Sequence, residues 1–264
     1  MSSVPFIKHG SGPLTVVLMH GFCEDRRIFE GILPYLDQKN YSWFLPDLPG
    51  FGDASKTGLL EHSITGYADY IRDWILDQSK GTVILVGHSM GGYVALDFAS
   101  HYPEQLRGLI LLHSQAAADS AEKKRSRDEH IQFLEKNGMA KYAARLIPAL
   151  YHTKYRESHK ELIGTWVDRA AKYNQKGVSL ALQCMRDRKD HSETLAALKL
   201  PVGIIAGGID PLIPREVSLK ESHLAALTSF HLLEDMGHMG MVEAPELVGT
   251  TLQKCIEELI PIVV

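Results

Sequence analysis

Residues 82–92 have the sequence TVILVGHSMGG. Their first five positions are apolar or β-branched, which is typical of a strand that is buried on both faces. Glycines at positions 87 and 91 bracket Ser89, and helical spacing begins directly after the second of them. This order of strand, tight turn and helix predicts that Ser89 occupies a strained turn at the carboxyl end of the strand, with its hydroxyl projecting from the sheet. Ser89 is therefore the candidate nucleophile.

The same alternation of short apolar runs and amphipathic stretches continues on both sides of this serine. Further strands are predicted at Phe6–His9 (an edge strand), Thr15–Met19, Ser42–Leu45, Leu109–Leu112, Val202–Ala206 and Ser229–Leu233. Helices are predicted at Ile28–Leu36, Ile64–Gln78, Gly91–His101 and Ala244–Leu259. The pattern predicts an α/β fold with a mostly parallel, doubly wound sheet, because helices that connect parallel strands cover both of its faces.

One interval, residues 116–198, contains no strand-like run. Helical segments follow one another there, at Ala121–Lys136, Met139–Tyr151, Lys160–Tyr173 and Val178–Arg186. We therefore expect residues 1–115 and 199–264 to form the α/β core, and residues 116–198 to form an inserted all-helical cap over the strand ends. Apolar cap residues that are candidates for a substrate pocket are Phe133, Leu146, Leu150, Trp166 and Val167.

A serine hydroxyl is a weak nucleophile without a neighbouring base, so a histidine is required. Among thirteen histidines, His238 lies in a glycine-flanked loop between the last predicted strand and the final helix. Asp210 follows the strand Val202–Ala206 and lies between nucleophile and base in the chain, where the acid of a Ser–His–Asp triad is expected. Asp235 is the alternative acid, although its position three residues before His238 favours a turn-capping role.

Five stretches resemble the α/β-hydrolase superfamily in order and spacing: His20-Gly21, DLPGFG at 47–52, GHSMGG at 87–92, GGIDP at 207–211 and Gly237-His238. The likeness is greatest to the capped bacterial branch that holds carboxylesterases, perhydrolases, enol-lactonases and carbon–carbon bond hydrolases. Haloalkane dehalogenases and epoxide hydrolases are similar, but they carry an aspartate nucleophile where this chain has Ser89. The resemblance implies acyl transfer that needs no metal or organic cofactor.

Members of this superfamily stabilise the oxyanion of acyl transfer with two backbone N–H groups. The resemblance implies that these belong to Phe22, after the strand Thr15–Met19, and to Met90, directly after the nucleophile. His20 is expected to brace the first of these loops, and Asp47 to hold the turn of its own loop. The expected substrate is a small carboxylic ester or related acyl compound. Lactone opening, carbon–carbon cleavage, perhydrolysis and ligand binding on an inactive scaffold stay open as alternatives.

Two charged stretches suggest structural roles. The run Lys123–Arg127 lies among acidic residues and predicts a solvated helix face. Residues 185–190, MRDRKD, resemble the enol-lactonase and esterase members, but a salt-bridged linker that secures the cap is favoured there over substrate contact.

Composition excludes several classes of protein. A net charge of −4 argues against nucleic-acid binding, which requires a concentrated basic surface. Cys23, Cys184 and Cys255 are far apart, which favours reduced thiols over disulfides or a zinc site. The N-terminus MSSVPFIKHGSG has no charged segment followed by an apolar one, and no apolar run approaches the roughly 18 residues of a membrane span. We therefore expect a soluble, cytoplasmic protein with no signal peptide; the sequence does not indicate its oligomeric state.

Overall fold

A computed structural model describes residues 4–79 and 81–259. Its sheet has seven strands: β1 (Phe6–His9), β2 (Leu14–Met19), β3 (Tyr41–Pro46), β4 (Val83–His88), β5 (Leu106–Leu112), β6 (Val202–Gly207) and β7 (Thr228–Leu233). Their order is β1-β3-β2-β4-β5-β6-β7, and only the β1–β3 pair is antiparallel. The mostly parallel sheet and its edge strand at residues 6–9 are therefore confirmed. Every residue of β4 is buried, as expected for the central strand of a sheet covered on both faces.

The helices are α1 (Ile64–Gln78), α2 (Met90–His101), α3 (Ala121–Ala149), α4 (Thr153–Ser158), α5 (Lys160–Ala170), α6 (Gln175–Asp187), α7 (Ser192–Ala197), α8 (Arg215–Ser222), α9 (Gly240–Glu243) and α10 (Pro245–Leu259). Three segments form 3₁₀ helices: Arg26–Tyr35, Gly52–Ala54 and Pro103–Gln105. The first of them was predicted as an α-helix. Pro34 lies within it, and proline cannot donate the hydrogen bond that an α-helix requires at that position.

Residues 116–198 contain α3 to α7 and no strand in the described structure. The two helices predicted on either side of Gly138 merge into α3, which bends there because this glycine adopts a φ of 78° that ordinary residues avoid. Helices α5 and α6 pack against α3, whereas α7 contacts α2 of the α/β core. The limits of the cap at residues 116 and 198 stay a prediction. In residues 4–79 and 81–259, no helix combines the length and apolar character needed to cross a membrane.

Candidate active site

Ser89 stands on a sharp turn between β4 and α2. Its φ of 49° and ψ of −114° lie in a region that non-glycine residues rarely occupy. The turn is held on both sides: the Ser89 N–H donates to the Leu112 carbonyl at 3.1 Å, and Ser114 Oγ donates to the Ser89 carbonyl at 2.7 Å. A Cβ on Gly91 would collide with the Met19 carbonyl, so a side chain there would disrupt the turn. The serine itself is partly exposed, although both of its neighbours are buried.

His238 and Asp210 lie in contact at the same edge of the sheet. His238 Nδ1 is 2.8 Å from Asp210 Oδ2, and both side chains are about 98% buried or more. The other carboxylate oxygen, Oδ1, accepts the N–H groups of Leu212 at 2.8 Å and Ile213 at 3.0 Å, which fixes the acid in the loop after β6. The alternative acid, Asp235, is exposed and makes no hydrogen bond to His238 within the described residues.

The charges of this pair stabilise each other. Burial alone would raise the pKa of Asp210, but the neighbouring His238 lowers it to about 2. Burial disfavours the imidazolium form of His238, yet the Asp210 carboxylate, with Glu24 and Glu243, holds the pKa of the ring above its ordinary value. In residues 4–79 and 81–259 no hydrogen bond joins Ser89 Oγ to His238. Such bonds are often long without substrate and tighten when it binds.

The two backbone groups expected to bind an oxyanion are positioned differently. Met90 is the first residue of α2, where the helix geometry leaves its N–H without an intrahelical acceptor. The Phe22 N–H donates to no other group of the described chain. The Phe22 ring is wedged edge-on between Phe51, at a centroid distance of 5.8 Å, and Tyr142 of α3, at 6.4 Å. Whether both N–H groups converge on one point stays a prediction.

His20 and Asp47 hold the loops that follow β2 and β3, as expected. The Leu48 N–H donates to His20 Nε2 at 2.9 Å, and His20 Nδ1 is 2.8 Å from the Gly21 carbonyl, so the ring joins two loops. Asp47 accepts the backbone N–H groups of Arg26 at 2.9 Å and Asp53 at 2.7 Å. Both residues are fully buried and serve structure.

A buried pair beneath His238 was missed by the sequence analysis. Glu24 Oε2 accepts the Gly21 N–H at 2.7 Å and lies 2.9 Å from His88 Nδ1. His88 Nε2 lies 3.0 Å from the His238 carbonyl, which can only accept, so this nitrogen donates. Burial would raise the pKa of Glu24, but His88 holds it below its ordinary value. Glu24 and His88 therefore connect the loop of Phe22 to the loop of His238, and His88 directly precedes the candidate nucleophile.

A further buried histidine, His113, lies near Asp210. Its Nδ1 is 3.8 Å from Asp210 Oδ2, and neither ring nitrogen has a hydrogen-bond partner in the described residues. The ring centroids of His113 and His238 are 6.3 Å apart. Burial lowers the pKa of His113 to about 3, so this imidazole is neutral at physiological pH. No sequence signal distinguished His113 from the other histidines.

The charged stretches of the cap differ partly from expectation. Lys124, Arg125 and Ser126 are exposed as predicted, but Lys123 and Arg127 are half-buried, which corrects the interpretation of this run as a solvated face. The turns of α3 place these two residues on the side that faces the protein.

Arg188 has the structural role favoured for the linker. It donates to the carbonyls of Met185 at 2.9 Å and Ala117 at 2.7 Å, pairs with Asp119 at 2.6 Å, and lies 4.0 Å from the centre of the Tyr93 ring. The apolar cap residues predicted to line a pocket all pack within or against the buried hydrophobic cluster of the protein, which includes cap residues, and Leu150 is buried. Contact of these residues with a substrate stays a prediction.

Comparison with known proteins places the chain in a family. The family described as alpha/beta hydrolase fold matches residues 15–245. The putative esterase/lipase 2 of Mycoplasma genitalium is 26% identical over 243 residues, which cover 88% of this chain and 84% of that protein. The pimeloyl-[acyl-carrier protein] methyl ester esterase of Aeromonas hydrophila is 36% identical over 112 residues, or 42% of each chain. A thermophilic esterase from Thermogutta terrifontis, solved with malate bound, is 29% identical with a TM-score of 0.89, covering 97% of this chain and 93% of that one. The chain therefore belongs to the alpha/beta hydrolase fold family.

Proposed function

We propose that this protein is a serine hydrolase that cleaves a small carboxylic ester, with Ser89 as nucleophile, His238 as base and Asp210 as the acid that orients the base. The observation that carries the proposal is the 2.8 Å contact between His238 Nδ1 and Asp210 Oδ2 at the sheet edge where Ser89 lies. When Nδ1 donates to the carboxylate, Nε2 stays free to accept a proton. The esterases among the relatives support an ester as the substrate.

The reaction has two acyl-transfer steps. Ser89 Oγ attacks the ester carbonyl carbon while His238 Nε2 takes the hydroxyl proton, and the backbone N–H groups of Phe22 and Met90 stabilise the oxyanion. Collapse of the tetrahedral intermediate breaks the bond to the alcohol, which leaves with the proton from His238. Water then attacks the acyl-serine, with His238 again as base, and releases the acid and the free Ser89 hydroxyl.

The strain at Ser89 supports this assignment. A non-glycine residue with a positive φ costs on the order of 1–3 kcal/mol, which the surrounding structure must offset. Here the offset comes from the two hydrogen bonds to the serine backbone at Leu112 and Ser114. A structure that holds a serine in this conformation while leaving its side chain partly exposed is arranged for the hydroxyl to react.

The test is covalent labelling and turnover. We expect wild-type protein to hydrolyse 4-nitrophenyl butyrate, and a fluorophosphonate to add to Ser89 with loss of fluoride, as peptide mass spectrometry would report. Ser89→Ala should lose both signals, whereas Ser100→Ala, an exposed serine on the same helix α2, should keep both. Labelling of a different residue, or undiminished turnover by folded Ser89→Ala, would overturn the proposal.

A further inference from the structure

One face of α3 carries three basic side chains. Lys123, Arg127 and His130 are spaced by four and three residues, which places them above one another on a helix. All three are half-buried, whereas Lys124 and Arg125 between them are exposed. We call these three residues the basic stripe.

One end of the basic stripe contacts a loop of the candidate active site, and the other end reaches the loop of Phe22 through Tyr142 of α3. Lys123 Nζ donates to the Leu212 carbonyl at 3.3 Å, in the loop whose Leu212 N–H binds Asp210. At the other end, His130 Nδ1 is 3.0 Å from the Tyr142 hydroxyl, and Tyr142 packs on Phe22. A helix rises 1.5 Å per residue, so the stripe extends about 10 Å along α3, from the loop of Asp210 to the Tyr142 side chain that packs on Phe22. Arg127 lies between these ends.

Around the basic stripe, the cationic side chains outnumber the carboxylates that pair with them. Asp119 is shared by two arginines, since its Oδ2 lies 2.5 Å from Arg127 Nε and its Oδ1 lies 2.6 Å from Arg188 Nη1. Lys123 has no carboxylate within 4.0 Å among the described residues. Burial lowers the pKa of Lys123, against the opposing attraction of Asp119.

The two arginines beside Asp119 differ in how many of their N–H groups lack an acceptor in the protein. Arg188 is 2% exposed and donates to two carbonyls as well as to Asp119. Arg127 is 21% exposed and bonds through Nε alone, so both of its terminal amino groups lack a protein acceptor in residues 4–79 and 81–259. Two parallel N–H groups of a guanidinium match the two oxygens of a carboxylate.

We propose that Arg127, assisted by Lys123, binds a carboxylate group of the substrate, so that the preferred substrates are esters that also carry a free carboxylate. The inference deepens the proposed function and rests on it. The acyl group is placed at Ser89 by the chemistry of the ester, while the charge is held by α3 of the cap. Selectivity for an anionic ester therefore comes from the inserted helices, and the reaction from the core.

The first experiment measures binding without turnover. In Ser89→Ala protein, NMR titration should show that the monomethyl esters of succinate, glutarate or adipate bind at least about tenfold more tightly than the corresponding dimethyl esters, as a charge-assisted pair predicts. Adding Arg127→Gln should remove this preference. Adding Arg125→Gln, which removes the same charge from the exposed side of the same helix, should leave it intact. Equal affinity for both ester types, or equal effects of the two arginine variants, would overturn the inference.

The second experiment separates this inference from the proposed function. Wild-type kcat/KM should be higher for mono-4-nitrophenyl glutarate than for 4-nitrophenyl butyrate, and Arg127→Gln should lower only the former, by about tenfold or more. Lys123→Met provides an independent variant with the same expected direction, should Arg127→Gln fold poorly by circular dichroism. If neither ester is hydrolysed through Ser89, the proposed function fails and the binding experiment still decides the carboxylate site. If only the neutral ester is hydrolysed well, the carboxylate inference alone fails.

Discussion

The turn after β4 holds the Ser89 side chain through backbone geometry, whereas α3 holds its inward-facing cations through side-chain contacts. Ser89 is oriented by a positive φ and by hydrogen bonds at its own N–H and carbonyl. Arg127 is oriented by one carboxylate, Asp119. A strained backbone turn can be recognised in the sequence from the glycines on either side of it, but an ion pair between side chains has no such local pattern. Equivalent substitutions should therefore have larger consequences in the core than in the cap.

The largest expected effect is on the chemistry of the core. The proposed triad predicts that His238→Ala lowers kcat for 4-nitrophenyl butyrate by about 10⁶-fold, because a base and a nucleophile act as a unit in the subtilisin triad. It also predicts that Asp210→Asn lowers kcat by about 10⁴-fold, since the acid of a triad orients and stabilises the imidazole without attacking the substrate. Both losses exceed the tenfold scale expected for Arg127→Gln in the cap. The measurement is kcat for each variant, with folding checked by circular dichroism.

The control for the acid is Asp235→Asn, which changes an exposed carboxylate close to His238 in the chain. We expect near-wild-type turnover from it. If Asp235→Asn were crippling and Asp210→Asn silent, the acid would be misassigned, in spite of the hydrogen bond that Asp210 makes to the ring.

The sequence was sufficient to predict the sheet and to place Ser89, Asp210 and His238 after β4, β6 and β7, whereas their catalytic roles stay a prediction. Each of these residues follows an apolar strand, and parallel strands bring their carboxyl ends to one edge, so local pattern and chain order place them together. Helix α8 was missed because it buries only Ser218 and Glu221 and therefore has no apolar periodicity.

The supporting contacts could not be predicted because no local pattern in the sequence specifies them. Glu24 and His88 are separated by 64 residues, and neither belongs to a motif that names the other as partner. Asp119 and Arg127 are only eight residues apart, but Asp119 lies before the start of α3, where helical spacing does not predict its contact with Arg127. A charge run on a helix predicts solvent exposure for all its members, and the packing of α3 reverses this for two of them.

A smaller difference between core and cap should appear in the pH dependence of folding. His113 stays neutral in the folded core down to its pKa of about 3, whereas an ordinary histidine binds a proton near pH 6.5. Between these values the unfolded chain takes up a proton that the folded chain does not. This residue therefore lowers the free energy of unfolding by up to about 1.4 kcal/mol for each pH unit of acidification. Its contribution to stability is complete above pH 6.5 and is lost as the pH falls towards 3.

His113→Asn should flatten this slope, since asparagine tolerates the φ of 45° at this position and does not titrate. His130→Asn in the cap should flatten it less. Burial, and to a smaller extent the positive charges of Arg145 and Arg127, lower the pKa of His130. This ring, however, is only half-buried and is hydrogen-bonded to Tyr142. Urea unfolding at pH 7, 6, 5 and 4 measures the slopes, with exposed His62→Asn as the control. A wild-type slope retained by His113→Asn would contradict the assignment.

The smallest expected effects come from two glycines inside helices, one in each region. A Cβ added to Gly164 in α5 of the cap would meet open space. Gly164→Ala should therefore raise the free energy of unfolding by about 0.5–1 kcal/mol, because alanine lowers the backbone entropy of the unfolded chain. Gly249 in α10 of the core is different, because an added Cβ would lie 2.9 Å from Tyr35 Cβ and 3.0 Å from the Ile32 carbonyl. Gly249→Ala should therefore lower the free energy of unfolding by about 1 kcal/mol or more, as overpacking exceeds the entropic gain. Urea unfolding of both variants at pH 7 measures the difference. Stabilisation by both alanines would mean that α10 can move away from Ile32 at little cost, and that the core is no more tightly constrained than the cap at this helix.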